Sequence, residues 1–306
     1  MAKLYLGNRQ LTPAVFKSVD INNQDKTITE NGTYTADEGY TGLGEVLVNV
    51  PSSGIGITRE VSSRGVYQIP NSPFTFTLPN NAIDVGDYAL QQAFYNGFFL
   101  TSVDLSSLIS ISGNSAMQQA FSGCNKLTSI DLSGLTTVSG TEGMQEAFKN
   151  CLSLISVDLS SLTTISGSYA MQQVFLGCSK LTSIDLSGLT TISGDYAMNQ
   201  AFSYCTQLTS VDLSSLTDIS GTSVMSRQMN WAFSNCTSLA TLSFPALTST
   251  SFGSYTTQFS DMLRGVTGCT VHFPSNLQSV IGSWPDVTAG FGGTNTTVLF
   301  DLPATT

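Results

Sequence analysis

The chain is 306 residues long, 41% hydrophobic and only 10% charged, with a formal net charge of −10. So apolar and sparsely charged a composition argues against full disorder. The length fits either two domains of roughly 150 residues or one elongated repeat array. The 11 basic residues are scattered from Lys3 to Arg264, not clustered as phosphate binding requires, so nucleic acid is not an expected partner. No run of about 18 apolar residues exists, so no membrane insertion is expected. The opening MAKLYLGNRQLTPAVFKS lacks the unbroken apolar core of a signal peptide. The expectation is cytoplasmic synthesis, or export by a route that the sequence does not display.

In chain order, residues 1–57 come first. Within TITENGTYTADEGYTGLGEVLVNV, Asn31–Gly32 is a hairpin turn signal between strand-like runs, which predicts a small β-rich module. PSSGIG at 51–56 reads as a linker. Residues 58–93 are expected to complete the linker and cap the array that follows. At the start of that array Leu90 takes a slot later filled by Met, and Gly97 a slot later filled by Cys.

From Phe94 onward the chain repeats every 27 residues. Phe recurs at 94, 121, 148, 175 and 202, and Asp at 104, 131, 158, 185 and 212. Cys recurs at 124, 151, 178 and 205, and Met at 117, 144, 171 and 198. After Cys205 the spacing slips by four residues, and Phe233 and Cys236 resume the pattern. Four residue columns in phase establish an internal repeat over 94–248. In LTSIDLSGL, Leu127, Ile130 and Leu132 alternate with Ser129, Asp131 and Ser133, the period-2 signature of a half-buried strand. In AMQQAF, Met117 and Phe121 are four apart, so a short helix would set them on one face. Gly113, Gly140, Gly167 and Gly194 stand before that stretch, where a tight turn is expected. One strand and one helix cannot bury their own apolar face, whereas stacked copies share a continuous core. The predicted fold is therefore an α+β repeat solenoid. Residues 249–306, with TVHFPSNL echoing TLSFPAL and the Gly/Thr-rich FGGTNTTVLFDLP, form the last degenerate repeats and a C-terminal cap.

Chemistry-bearing residues are few. The cysteines share one slot among apolar neighbours, which predicts small buried hydrophobes. No C-x-x-C pair exists and His272 is the sole histidine, so a structural zinc site lacks a ligand set, and a Ser-His-Asp or Cys-His relay would have to use His272, which is expected to be a surface or cap residue. No phosphate-binding glycine loop opens a helix. No catalytic residues and no cofactor are expected. The terminal Leu302-Pro303-Ala304-Thr305-Thr306 has Thr306 where a sortase signal needs Gly, and reads as an ordinary chain end.

Two surface columns are candidate binding faces. Asp104, Asp131, Asp158, Asp185 and Asp212 alternate outward on neighbouring strands. Like charges at strand spacing are unfavourable, so raised carboxyl pKa values are expected. Two roles fit this column: an acidic stripe for cations, calcium first among them, or for sugar hydroxyls; and solvated carboxylates bonded to the flanking serines. Tyr169 and Tyr196, with Tyr88 in the same slot, form the second column; exposed tyrosines can bind sugars or proteins.

The pairing of "AF…C" with a following "L..I.L" strand over roughly residues 83–275 resembles the BspA-like leucine-rich repeats of bacterial surface proteins. The unit is longer than that family usually shows. The Pro that often follows its strand is Ser here until Pro245 and Pro274. The first 57 residues are similar to N-terminal segments of tail-associated proteins in phages and prophages of gut Firmicutes. Together these resemblances imply a leucine-rich-repeat solenoid behind a β-rich attachment module. The implied function is non-enzymatic: a phage or prophage tail-associated protein, located in the virion tail or on an extracellular surface. Its solenoid would recognise a host cell-surface protein or glycan and its N-terminal module would contact other tail proteins, as a single chain or a homo-oligomer. A BspA-like cell-surface adhesin is the alternative.

Overall fold

The computed structural model describes residues 84–88, 90–220, 228–248 and 259–305, and the backbone of six strands before them. β1 (Val15–Val19), β2 (Asp25–Ile28) and β3 (Val46–Asn49) form an antiparallel sheet in the order β2-β1-β3. β4 (Ile57–Glu60) and β5 (Val66–Ile69) pair antiparallel. The Asn31–Gly32 turn and the 51–56 linker lie outside the described residues. β6 (Phe74–Thr77) runs parallel to β7 (Leu100–Asp104), so the solenoid sheet begins before the first Phe of the repeat.

From there the chain is a parallel β-solenoid. β7 is followed by β8 (Ser110–Ile111), β9 (Ser129–Asp131), β10 (Thr137–Val138), β11 (Ser156–Asp158), β12 (Thr164–Ile165), β13 (Ser183–Asp185), β14 (Thr191–Ile192) and β15 (Ser210–Asp212). The longer strands stack as β15-β13-β11-β9-β7-β6, and the two-residue strands as a second sheet, β14-β12-β10-β8. Register follows the sequence period: Asp104 pairs with Asp131, Asp158 with Asp131 and Asp185, and Asp185 with Asp212. Equivalent residues therefore lie about 4.8 Å apart along the stack, and each column becomes a row of identical contacts. Phe94, Phe121, Phe148, Phe175, Phe202 and Phe233 stack at ring-centroid distances of 5.2–5.7 Å. The Met, Cys and Leu columns beside them are equally buried.

The helix expected in each unit is absent. The segment before each Cys is a run of turns in which every fourth residue is left-handed. Ser115, Gln119 and Gly123 show this in one unit, and Glu142, Glu146 and Asn150 in the next. Successive N–H groups divide their bonds. Gln118, Ala120 and Ser122 donate three residues back in their own turn, whereas Met117, Gln119 and Phe121 donate to the carbonyls of Gly143, Gln145 and Ala147 in the next turn. A helix would keep all these bonds internal; the observed run gives half of them to cross-turn stacking. A repeat of four residues still places Met117 and Phe121 on the buried face, which is why the spacing imitates a helix. Left-handed backbone is costly for residues with a side chain, and the column at 96, 123, 150 and 177 meets it with the tolerant residues Asn and Gly in alternation.

The amides of this run form ladders of their own. Gln91 Nε2 donates to Gln118, Gln118 to Gln145, Gln145 to Gln172 and Gln172 to Asn199, at 2.5–3.1 Å. Asn199 continues the ladder to Asn230 at 2.8 Å. The glycine column serves close packing. Gly140 has no positive φ, but a methyl group there would overlap the carbonyl oxygen of Gly113 in the turn below.

After β15 the sheet is interrupted. β16 (Thr241–Ser243), β17 (Thr270–Pro274) and β18 (Thr297–Leu302) form a separate parallel sheet, and no ladder joins β15 to β16. Two four-residue helices, α1 (Gln278–Ile281) and α2 (Pro285–Thr288), lie between β17 and β18. Their Ile281 and Val287, with Phe291, are buried in the common core.

Phe148 lies between Phe121 and Phe175, 5.2 and 5.6 Å from their ring centroids. Phe148→Ala is expected to cost about 3–5 kcal/mol, because neighbours fixed on both sides cannot collapse into the cavity. Denaturant melts check this, and a loss below about 1 kcal/mol would remove the ring column from the core.

Candidate concave binding face

The strands β7, β9, β11, β13 and β15 share an exposed face of Ser-apolar-Asp triplets, with the middle residue turned into the core. Each aspartate folds back on the residue two positions later. Asp104, Asp131 and Asp158 accept from the backbone N–H of Ser106, Ser133 and Ser160 at 2.9–3.0 Å and from their hydroxyls at 2.7 Å. Asp185 and Asp212 accept from the N–H of Ser187 and Ser214 at 2.9 Å. All these bonds end on Oδ1. The column therefore terminates its strands, each carboxylate capping the turn that leads out.

At Asp158 this bonding corrects the expectation of a raised carboxyl pKa. The Ser160 hydroxyl, helped by its backbone N–H, holds Asp158 below the usual carboxylate range against a small opposing effect of burial. Asp84 begins the neighbouring column. Burial pushes its pKa up, but the Ser112 and Ser110 hydroxyls and two backbone N–H groups outweigh this and leave it lowered. Hydrogen bonds to the charged form prevail over burial at these two sites.

A groove of about 700 Å³ opens on this face, lined by the Ser and Asp residues of β11, β13 and β15 together with Ser214, Ser243 and Pro245. It lies where β15 and β16 part. Val103, Ile130, Val157 and Ile184 are 2–6% exposed, whereas Val211, in the same slot on β15, is half-buried and contributes to the groove floor. The opposite wall stays closed at this level. Phe202 N–H still donates to Ala232, and the Cys236 thiol to Phe202 carbonyl oxygen at 3.1 Å.

Of the expected site residues, Asp158, Asp185 and Asp212 line the groove, while Asp104 and Asp131 continue the column beyond it. Tyr169 and Tyr196 do not line it. Both are left-handed residues in the turn run, half-buried, with rings stacked at 5.3 Å. His272 is not unpaired: its Nδ1 lies 2.9 and 3.0 Å from the two carboxylate oxygens of Asp301, joining β17 to β18. Ser243 stands in register with His272 on β16, but no hydrogen bond joins them, so a Ser-His-Asp relay is not assembled. Among the described residues no cluster of three His, Cys, Asp or Glu side chains could hold a metal. None of the helices among them is long and apolar enough to cross a membrane.

The six cysteines are free and buried. The thiols of Cys124, Cys151, Cys178 and Cys205 donate to the carbonyls of Phe94, Phe121, Phe148 and Phe175 at 3.2–3.3 Å. Burial pushes Cys124 and Cys236 up to about 12 and Cys269 to about 11.

Stacked strand-and-turn units with in-phase apolar columns define a leucine-rich-repeat solenoid. The chain belongs to the BspA-type leucine-rich-repeat family: the profile described as "BspA type Leucine rich repeat region" matches residues 90–223 and 198–280, in six copies. No curated protein matches the chain. Among solved structures, a TLR13–ssRNA13 complex is similar at 13% identity with a TM-score of 0.25. The match covers 76% of this chain and 40% of that one, so this chain spans less than half of that relative's length.

Thermal melts in calcium and in chelator should coincide, because Oδ1 of each aspartate is already bonded. Replacing Asp131, Asp158 and Asp185 by Asn together should be neutral or slightly destabilising, since the amide oxygen keeps the turn bond while the charge that the Ser160 bonds favour at Asp158 is lost. A calcium-dependent rise in Tm that vanishes in the triple variant would instead mark the stripe as a cation site. Thiol reagents at about pH 8 should leave the folded protein unlabelled and modify all six cysteines after denaturation, because the reactive thiolate is suppressed by burial.

Proposed function

We propose that the chain is a non-enzymatic binding protein of a phage or prophage tail, which presents its leucine-rich-repeat face to the host cell surface. The observation that carries this is the exposed row of Ser and Asp side chains, contributed by five consecutive turns and opening into a groove of about 700 Å³. Rigid, repeated polar surface of this kind suits recognition of an extended partner and assembles no catalytic relay. The tail assignment rests on the similarity of residues 1–57 to tail-associated proteins. That segment would contact other tail proteins and leave the solenoid free for a host protein or glycan. Membership of the BspA-type family favours one second role, a bacterial cell-surface adhesin, in which the same face would bind outward from the producing cell.

Fractionation separates the two. Antibody against the solenoid should decorate the tails of purified particles, and purified full chain should bind host cells and compete with particle adsorption. Decoration of the producing cell's own envelope, with none on particles, would favour the adhesin and remove the tail role.

A further inference from the structure

Building on the host-recognition role, we infer that the groove at the sheet interruption takes a chain of amino sugars, with protonated amines against its aspartates and hydroxyls against its serines. Three features of the groove carry this. Its charge is one-signed: Asp158, Asp185 and Asp212 lie in the lining and no Lys, Arg or His does, so charge complementarity calls for a cation and excludes anionic ligands. Its acceptors are free: the bonds of all three carboxylates to their own chain end on Oδ1, leaving each Oδ2 without a partner among the described residues. Its hydroxyls recur with the carboxylates. Ser156, Ser183 and Ser210 stand two residues before each Asp, in register from strand to strand.

The groove also has a place to start. The strand register of the column is uniform until β15, where the ladder ends and Val211 loses the cover its equivalents keep. A small apolar floor ringed by hydroxyls and carboxylates fits the mixed surface of a pyranose ring better than a bare metal ion, for which no ligand cluster converges among the described residues. Successive rungs about 4.8 Å apart then offer the same Ser-Asp pair to successive units of a polymer lying along the solenoid axis. A lysine-rich peptide would match the charge, but its side chains carry no hydroxyls to pair with those of Ser156, Ser183 and Ser210 beside the carboxylates.

The test is titration calorimetry on the full chain with three probes: a glucosamine hexamer, its fully N-acetylated counterpart and hexalysine. The glucosamine hexamer should bind, and both N-acetylation and the Asp158→Asn, Asp185→Asn, Asp212→Asn variant should weaken binding at least about tenfold, the scale of three partly exposed charge pairs. Asn can keep the Oδ1 turn bond, so the variant should melt like wild type. The two wild-type probe comparisons need no variant at all. Binding should also fall as ionic strength rises from about 0.1 M to about 1 M, where the Debye length shrinks from about 10 Å to about 3 Å.

Equal binding of the acetylated and free hexamers would overturn the inference, as would tighter binding of hexalysine, or no binding by a correctly folded chain. If the chain adheres to host cells while glucosamine hexamer neither binds nor competes, the inference falls and the host-recognition role stands. If adhesion is absent but the hexamer binds, the role falls and the site stands.

Discussion

Everything in this solenoid depends on the bonds that one turn gives to the next. On the wall opposite the groove, every second N–H leaves its own turn to reach a carbonyl in the following one. On the other side, Thr136, Thr163 and Thr190 donate through both N–H and hydroxyl to carbonyls of the turn before. A turn of 27 residues has too little interior to hold itself together. Its Phe, Met, Leu and Cys side chains become a core when copies lie above and below. Left-handed Gln, Glu and Tyr residues are tolerated because the conformation they adopt aims the backbone at a neighbour.

That dependence explains which residues repeat. Phe recurs because rings of equal size stack in parallel, and Gly140 and its equivalents recur because carbonyls pass too close for a methyl group. Cys recurs as a small buried side chain whose thiol reaches a Phe carbonyl of the preceding turn. The Asp column, which looked like stored repulsion, is a row of strand terminators stabilised by the serines two positions on. Its second oxygens are what remains for binding.

Much of this was legible from spacing. The period, the buried columns, the strand position and the outward aspartates all follow from residues in phase. The backbone of the AMQQAF segment does not, because a four-residue turn repeat and a helix both place Met117 and Phe121 on one side; the pattern reports the face and is silent on where the N–H bonds go. The amide ladder had a signal that passed unread, Gln or Asn recurring at 91, 118, 145, 172, 199 and 230. The groove was visible only as a four-residue slip after Cys205. The slip falls between the strands that later part, but nothing in it says that the concave sheet would open while the opposite wall stayed bonded. His272 seemed isolated because its partner, Asp301, lies 29 residues away and enters through the next strand.

The amide ladder has a direction. From Gln91 to Asn230 each side chain gives its NH2 forward and receives on its oxygen from behind. An interior turn is thus interchangeable with any other: it accepts from the preceding copy and donates to the following one. Duplicating or excising two adjacent 27-residue units within the uniform stretch, a step that also keeps the Asn–Gly alternation at 96, 123, 150 and 177, would lengthen or shorten the molecule by two rungs and leave every donor of the ladder with an acceptor. Length is therefore a variable that gain or loss of repeat units can change in whole steps without redesigning either end. A recognition surface built this way can be retuned in reach by copying what it already has.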